Sequence, residues 1–193
     1  MNYLLEQSEN LVDQAPGKFK RYLFDKIEWE NRLIGIKGAR GTGKTTLLLQ
    51  WLSQKGLPSH QAAYFTLDDL YFLSHSLVDT ARNFYKLGGQ ILVLDEVHKY
   101  PGWAREIKNL YDLYPELQII FTGSSVVDIS RQEGDLSRRA LMNEIHGLSF
   151  REYLQFTGVL DLPAIPLTEI TNPGNKLNRN LPKGFRPIQY FRK

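Results

Sequence analysis

The sequence predicts a three-layer α/β/α fold in which helices cover both faces of a mostly parallel sheet. Short apolar runs alternate along the chain with stretches of helical spacing, a pattern typical of parallel strands joined by right-handed helical crossovers. A glycine-rich segment separates the first apolar run from the helix after it, and the third run ends in two acids. Because ligands bind beyond the carboxyl ends of parallel strands, both features predict a binding site at that edge of the sheet.

The elements follow in order from the apolar periodicity. Two helices are predicted before the sheet, over Asn2–Asp13 and residues 18–27, with Pro16 and Gly17 between them. Strands are predicted over residues 33–37, 62–67, 90–94, 118–122 and 143–148. The connecting helices are predicted over residues 44–54, 77–87, 103–114 and 126–133. Ser149 and Glu152 have the capping-box spacing that starts a last helix, ending near Gly158.

Residues 38–45 read GARGTGKT, a full match to the phosphate-loop pattern G-x-x-x-x-G-K-[ST]. A polyphosphate must be wrapped by backbone N–H groups, and only glycine lets the chain come that close or take positive φ where it turns. We expect Lys44 to reach the β and γ phosphates and Thr45 to place its hydroxyl on Mg²⁺, at the positive end of the helix. The residues assigned to nucleotide binding are Gly38, Ala39, Arg40, Gly41, Thr42, Gly43, Lys44, Thr45 and Thr46.

Asp95 and Glu96 follow directly on the apolar run QILVL, which reads as a buried parallel strand. We expect Asp95 to hold Mg²⁺ through its water shell and Glu96 to polarise a water for attack on the γ phosphate. A lone Asp at this point could equally cap the next helix. The adjacent pair behind a complete phosphate loop favours the metal and catalytic roles.

Ser124 and Ser125 directly follow another apolar strand, IIFTG. Their hydroxyls could sense the γ phosphate or orient the attacking water. Either serine could instead cap the segment that starts at Val126, and the two interpretations are equally compatible with the sequence.

Four segments, GARGTGKTTLL, ILVLDEVHKYPGW, IIFTGSS and LSRRALMNEIHGLSFREYL, occur in an order and spacing that closely resembles a large prokaryotic group of AAA-type ATP-binding proteins. The resemblance covers residues 18–160. It implies a P-loop ATPase of the additional-strand, catalytic-glutamate type with strand order 5-1-4-3-2. It also implies ATP and Mg²⁺ as cofactors, Lys44 and Glu96 as catalytic residues and Ser124 at the sensor position. The sequence has no Asn-Lys-x-Asp tetrapeptide, which a guanine site usually shows, so ATP is favoured over GTP.

Two departures from the family pattern leave alternatives open. Arg139 falls where the family has the arginine of a Leu-x-Gly-Arg motif, but Arg138 replaces the glycine, so either arginine is a candidate for stabilising phosphate charge. Family members are commonly longer and continue into a C-terminal domain of unknown function, sometimes likened to restriction endonucleases. Residues 182–192 resemble the entry to that domain. A truncated product, a frameshifted remnant and a cloned fragment all fit this pattern.

Length and composition predict one main domain, since 193 residues with 42% hydrophobic content can bury a single core. The expected organisation is an N-terminal helical segment over residues 1–30, an ATPase core over 31–160 and a proline-rich, weakly ordered tail over 161–193. The absence of cysteine excludes disulfides, thiolate metal sites and a cysteine nucleophile.

Charge and hydropathy limit the classes of partner. Nothing approaches the roughly 18 consecutive apolar residues of a membrane span, and the N-terminus lacks the pattern of an export signal. A cytoplasmic protein with no membrane partner is therefore expected. The 24 basic and 21 acidic residues give a net charge of +3, too weak to predict a nucleic-acid surface.

The leading functional hypothesis is ATP binding with Mg-dependent hydrolysis, coupled to a conformational change in a partner or attached domain. A homo-oligomer and a protein partner bound through the C-terminal tail are the expected assemblies. A small-molecule or nucleotide kinase is the alternative, because the length suits one and the arginines could form a phosphate lid. A non-catalytic nucleotide-binding remnant is a third. Glu96 favours the hydrolase, because a kinase must exclude activated water.

Overall fold

The computed structural model describes residues 1–123, 136, 138–161 and 168. The chain divides after Leu148 into two units. In the first unit five parallel strands form one sheet: β1 Leu33–Lys37, β2 Ala62–Thr66, β3 Ile91–Asp95, β4 Gln118–Gly123 and β5 Leu141–Glu144. The helices described in this unit are α1 Asn2–Asp13, α2 Lys44–Lys55, α3 Leu77–Lys86 and α4 Trp103–Leu113.

The strand order is β2-β3-β4-β1-β5. Read from the other edge this is 5-1-4-3-2, so the predicted order is confirmed. All pairs are parallel, with Leu33 beside Ile119 and Ile34 beside Leu141. Strand β4 therefore lies between β1 and β3, the two strands that lead into the phosphate loop and the acid pair.

Two hydrophobic cores, one on each face of the sheet, confirm the three-layer architecture. Side chains alternate between faces along a strand, so Leu92 and Leu94 of β3 join one core while Ile91 and Val93 join the other. Helices α3 and α4 cover the first face, where Leu4 of α1 is also buried. Helix α2 covers the second face together with Leu23, Phe24 and Ile27. All five residues of β3 are buried because the strand is covered on both faces.

The predicted helix over residues 18–27 is wrong. The structure has only a short 3₁₀ turn, Tyr22–Asp25, preceded by extended backbone at Arg21. The side-chain amide of Gln50 on α2 donates to the carbonyls of Pro16 and Phe19. These tertiary hydrogen bonds hold the segment against α2, and Leu23 and Phe24 are buried beside it.

Strand β5 begins two residues earlier than predicted and ends at Glu144. The N–H of Ile145 still donates to the carbonyl of Lys37, at 2.8 Å. The next two carbonyls, of His146 and Gly147, accept from Arg21 instead of from a strand. The helix predicted over residues 126–133 lies outside the described residues.

In the second unit, α5 spans Phe150–Phe156. The N–H of Ser149 donates to the Glu152 carboxylate at 2.9 Å, and the N–H of Glu152 donates to the Ser149 hydroxyl at 3.3 Å. This reciprocal pair is the predicted capping box. Across the part of the chain that the structure describes, every helix is too short or too polar to cross a membrane.

Candidate nucleotide-binding site

The glycine-rich loop joins the end of β1 at Lys37 to the start of α2 at Lys44. Gly43, which precedes α2, has a φ of 89°, a conformation that costs about 1–2 kcal/mol for a residue with a Cβ. Gly38 is required for a different reason: a Cβ there would collide with the carbonyl oxygen of Ile145. The loop thus turns sharply while pressed against the segment after β5.

Lys44 is 4% exposed, and its ammonium donates to the carbonyls of Gly38 and Ala39, both at 2.9 Å. Burial lowers the pKa of Lys44, while Glu96 and Asp95 act in the opposite direction. The ammonium therefore sits within the loop, with the two carboxylates close enough to act on it. A phosphate entering the loop would compete with the two carbonyls for this cation.

Asp95, at the end of β3, is 2% exposed and accepts hydrogen bonds at both carboxylate oxygens. Oδ2 accepts from the hydroxyl of Thr45 at 2.6 Å and from the hydroxyl of Tyr64 at 2.7 Å. Oδ1 accepts from the hydroxyl of Thr122 and from the N–H of Glu96. A buried carboxylate needs such donors, and they come from α2, β2 and β4 and from the residue after β3.

Sequence reasoning missed Tyr64 and Thr122. Burial, followed by the charge of Asp95, raises the pKa of Tyr64, so its hydroxyl keeps its proton and remains a donor. The available signal was a tyrosine within an apolar strand, whose first four residues are buried, since the hydroxyl of a buried tyrosine must find a polar partner. Thr122 lies two residues before Ser124, the hydroxyl selected from the sequence, and Ser124 lies outside the described residues.

Glu96 is the one non-glycine residue with positive φ in the described segments, at 53°. This conformation is uncommon for a residue with a side chain and clusters at functional sites. Its N–H donates to Asp95 Oδ1 at 3.0 Å and to the Thr122 hydroxyl at 3.3 Å. Its carboxylate lies 3.3 Å from Nε2 of His98, in the 3₁₀ turn Val97–Lys99. The backbone of Glu96 is thus fixed by the Asp95 cluster and its side chain by His98.

Arg138 and Arg139 lie away from the loop of their own chain. They precede β5, whose residue Leu141 pairs with Ile34 near the start of β1, whereas the loop follows the end of β1. The five residues of β1 span about 16 Å at about 3.3 Å per residue. Arg139 makes a two-point ion pair with Asp112, at 3.1 and 3.2 Å, and Arg138 is exposed.

The residues that fit Mg²⁺ are Thr45 and Asp95. Magnesium takes oxygen ligands and is usually held by one or two protein groups together with phosphate oxygens and water. The Thr45 hydroxyl and the Asp95 carboxylate meet at 2.6 Å beside the loop, which is this donor set. Within the described residues no group of three or more His, Cys, Asp or Glu side chains is arranged as a protein-only metal cage.

Residues 30–154 match the AAA domain family. The chain belongs to this family. An uncharacterized protein of Methanocaldococcus jannaschii is 36% identical over 137 residues, covering 66% of this chain. The chain spans only 28% of that relative's length.

The fold is shared with the Hsp104 chain described next. The Hsp104–ADP complex of S. cerevisiae matches this AAA domain with a TM-score of 0.53 and 18% identity, over 81% of this chain and 26% of that one. AMPPCP-bound DnaA from Aquifex aeolicus matches with a TM-score of 0.46 and 24% identity, over 80% of this chain and 52% of that one. Family membership, with a complete phosphate loop, supports nucleotide binding by this chain.

Proposed function

We propose that this AAA domain binds ATP with Mg²⁺ and hydrolyses it. The observation that carries the proposal is the 2.6 Å hydrogen bond from Thr45 to Asp95, residues 50 positions apart in the chain. It joins the start of α2, directly after the phosphate loop, to the acid that ends β3. The phosphate loop alone could be a glycine-rich turn, and the acid at the end of β3 alone could be a helix cap. Their direct contact favours a single functional site.

Nucleotide binding is assigned to the loop and the start of α2. The N–H groups around Gly43 and the positive end of the helix attract an anion, and the Lys44 ammonium adds a full charge. In the described structure that ammonium is held by Gly38 and Ala39. Transfer of Lys44 from these carbonyls to the β and γ phosphates is the expected response to ATP.

Metal binding is assigned to Thr45 and Asp95. Bound Mg²⁺ would neutralise phosphate charge and orient the β and γ phosphates. Thr45 would release Asp95 and turn its hydroxyl to the metal. Asp95 would keep the donors Tyr64 and Thr122, so its carboxylate would remain oriented during the exchange.

Activation of the attacking water is assigned to Glu96. Its carboxylate lies one residue beyond the metal-binding acid and is 26% exposed, so it remains accessible to solvent. A carboxylate that orients and polarises water beside the γ phosphate is the feature that separates a hydrolase from a kinase. Ser124, at the predicted sensor position, is proposed to contact the γ phosphate or this water.

A role for Arg138 or Arg139 in hydrolysis is proposed to operate on the nucleotide of a neighbouring subunit. Both arginines lie near the amino-terminal ends of the strands, whereas the loop of the same chain follows the carboxyl end of β1, and this separation supports the assignment. A homo-oligomer is then the active assembly. Hydrolysis in it is proposed to drive a conformational change in an attached domain or a protein partner.

Binding and turnover of the purified chain test the proposal. Calorimetric titration with ATP and with GTP, each with and without Mg²⁺, measures nucleotide choice and metal dependence. Phosphate release, with and without candidate acceptors, measures turnover. Mg-dependent ATP binding with free phosphate release supports the hydrolase. Phosphate transfer to an acceptor without release favours the kinase, binding without turnover favours the remnant, and no binding contradicts all three.

A further inference from the structure

Arg21 contacts the phosphate loop from outside the motif. It lies in the extended segment before β1 and is 5% exposed. One guanidinium nitrogen donates to the carbonyl of Thr42, within the loop. The other terminal nitrogen donates to the carbonyls of His146 and Gly147, at 2.8 and 3.2 Å. One buried cation therefore ties the loop to the segment that follows β5.

A second set of contacts joins the same two segments at the start of the loop. The N–H of Ile145 donates to the carbonyl of Lys37 at 2.8 Å. Gly38 lies so close to Ile145 that a Cβ there would collide with the Ile145 carbonyl. Residues 145–147 thus contact the loop directly at Gly38 and are joined to the carbonyl of Thr42 through Arg21.

We infer that Arg21 is a positioning residue that locks the phosphate loop to residues 145–147 and transmits nucleotide occupancy to the chain beyond them. The inference rests on the proposed function, since it requires that the loop bind a nucleotide. Arginine suits the role because its planar guanidinium carries five donors in fixed directions and can serve three carbonyls at once. A lysine carries the same charge without this geometry.

The loop can change at the point that Arg21 holds. Thr42 stands between Gly41 and Gly43, with φ of 81° and 89°, so neither neighbour restricts the loop with a Cβ. Phosphates draw the N–H groups of the loop toward them, and a rotation at Thr42 changes the direction of its carbonyl. Because Arg21 also donates to the carbonyls of His146 and Gly147, that rotation would shift Arg21 and change these two hydrogen bonds. Leu148 follows at once, and the second unit begins at Ser149.

A purely structural role for Arg21 predicts a different result. In that case, replacing Arg21 would lower the stability of the fold, but a variant that still folds would respond to saturating nucleotide as the parent does. A positioning role predicts weaker nucleotide binding, because ordering the loop would then oppose binding. It also predicts loss of the response after β5 even at saturation.

A fluorescent probe at Leu148 separates the two roles. The chain has no cysteine, and Leu148 is 41% exposed, so Leu148→Cys gives one labelling site in the full 193-residue chain. The labelled parent, Arg21→Met and Arg21→Lys are titrated with AMPPCP and Mg²⁺. Lys26→Met is the matched control, because it removes a charge from an exposed side chain in the same segment.

We expect the parent and Lys26→Met to show the same nucleotide-dependent change in fluorescence. Arg21→Met should bind about tenfold or more weakly, the loss expected for a hydrogen bond to a charged group, and should show no change at saturation. Arg21→Lys should be intermediate in affinity and reduced in amplitude. If circular dichroism shows that Arg21→Met is unfolded, Arg21→Lys decides.

Three results would overturn the inference. Parent-like amplitude in folded Arg21→Met, or parent-like affinity and amplitude in Arg21→Lys, would exclude the guanidinium as the link. A parent that binds AMPPCP without any change at position 148 would exclude transmission while leaving the proposed function intact. A parent that binds no nucleotide would refute the proposed function, and the inference with it.

Discussion

The hydroxyl of Thr45 donates a 2.6 Å hydrogen bond to Oδ2 of Asp95. The bond reaches across β4, which lies between β1 and β3, and Thr122 of β4 donates to the other oxygen of the same carboxylate. The loop and the acid are therefore parts of one hydrogen-bonded unit. A change in a donor to Asp95 should be measurable in the stability of the whole sheet.

Tyr64→Phe tests that unit. The change removes the hydroxyl that donates to Asp95 at 2.7 Å and keeps the ring. Because the buried carboxylate loses a donor, we expect the free energy of unfolding to fall by about 1–3 kcal/mol, measured by urea denaturation.

The control for Tyr64→Phe is Tyr85→Phe, a half-buried tyrosine that packs against the ring of Tyr114. Its loss should stay within about 0.5 kcal/mol, as for a substitution away from a buried polar network. Equal losses in the two variants would show that the Tyr64 hydroxyl has no special role at Asp95.

Gly38→Ala tests the close packing of the loop against residue 145. A methyl group at Gly38 would collide with the carbonyl oxygen of Ile145, and a backbone atom cannot move aside as a side chain can. We expect about 1–3 kcal/mol of destabilisation from overpacking together with weaker ATP binding. Gly17→Ala, where a Cβ meets no atom within 4 Å, should preserve both, and a parent-like Gly38→Ala would refute the packing argument.

Mixing two inactive variants tests whether the arginines act between subunits. Chains with Arg138→Ala and Arg139→Ala keep an intact loop, whereas Lys44→Ala chains keep both arginines. If an arginine completes the neighbouring site, the mixture should regain phosphate release, since such a group contributes about 10³- to 10⁵-fold in rate. No recovery, with parent activity independent of concentration, would point to action within one subunit or to no catalytic role.

Much of the fold was predictable because its signals are local. The alternation of apolar runs with helical spacing gave every described strand, with β1 correct at both ends. The resemblance to AAA-type proteins supplied the strand order. The helix predicted over residues 18–27 and the predicted end of β5 were wrong because tertiary hydrogen bonds override local preference there. Gln50 donates to the carbonyls of Pro16 and Phe19, and Arg21 donates to the carbonyl of His146 after β5.

The candidate site was predictable in its motifs but not in its supporting residues. Lys44, Thr45 and Asp95 follow from spacing alone, and the structure brings them together. A tyrosine in a buried strand signals only that its hydroxyl needs a partner. No local pattern identifies the partner of Tyr64 or of Arg21, since Asp95 and His146 lie 31 and 125 residues away from them. Only the register of the sheet and the path of the segment after β5 bring those partners into contact.

Lys44→Ala should abolish ATP binding in calorimetric titration. The ammonium is the buried cation of the loop, and truncating a buried charged partner costs about 2–5 kcal/mol of binding free energy. Lys55→Ala, at the exposed end of the same helix, should bind as the parent does. Unchanged ATP affinity in Lys44→Ala would contradict the assignment of nucleotide binding to this loop.

Phosphate release by Glu96→Gln, measured beside ATP affinity, tests the central claim most directly. The amide keeps the size of the side chain but cannot accept a proton from water, so we expect ATP affinity close to that of the parent and turnover lower by about 10²- to 10⁴-fold. Glu116→Gln, an exposed acid after α4, should match the parent in both. Hydrolysis by Glu96→Gln at the parent rate would contradict the assignment of Glu96 and the ATPase mechanism built on it.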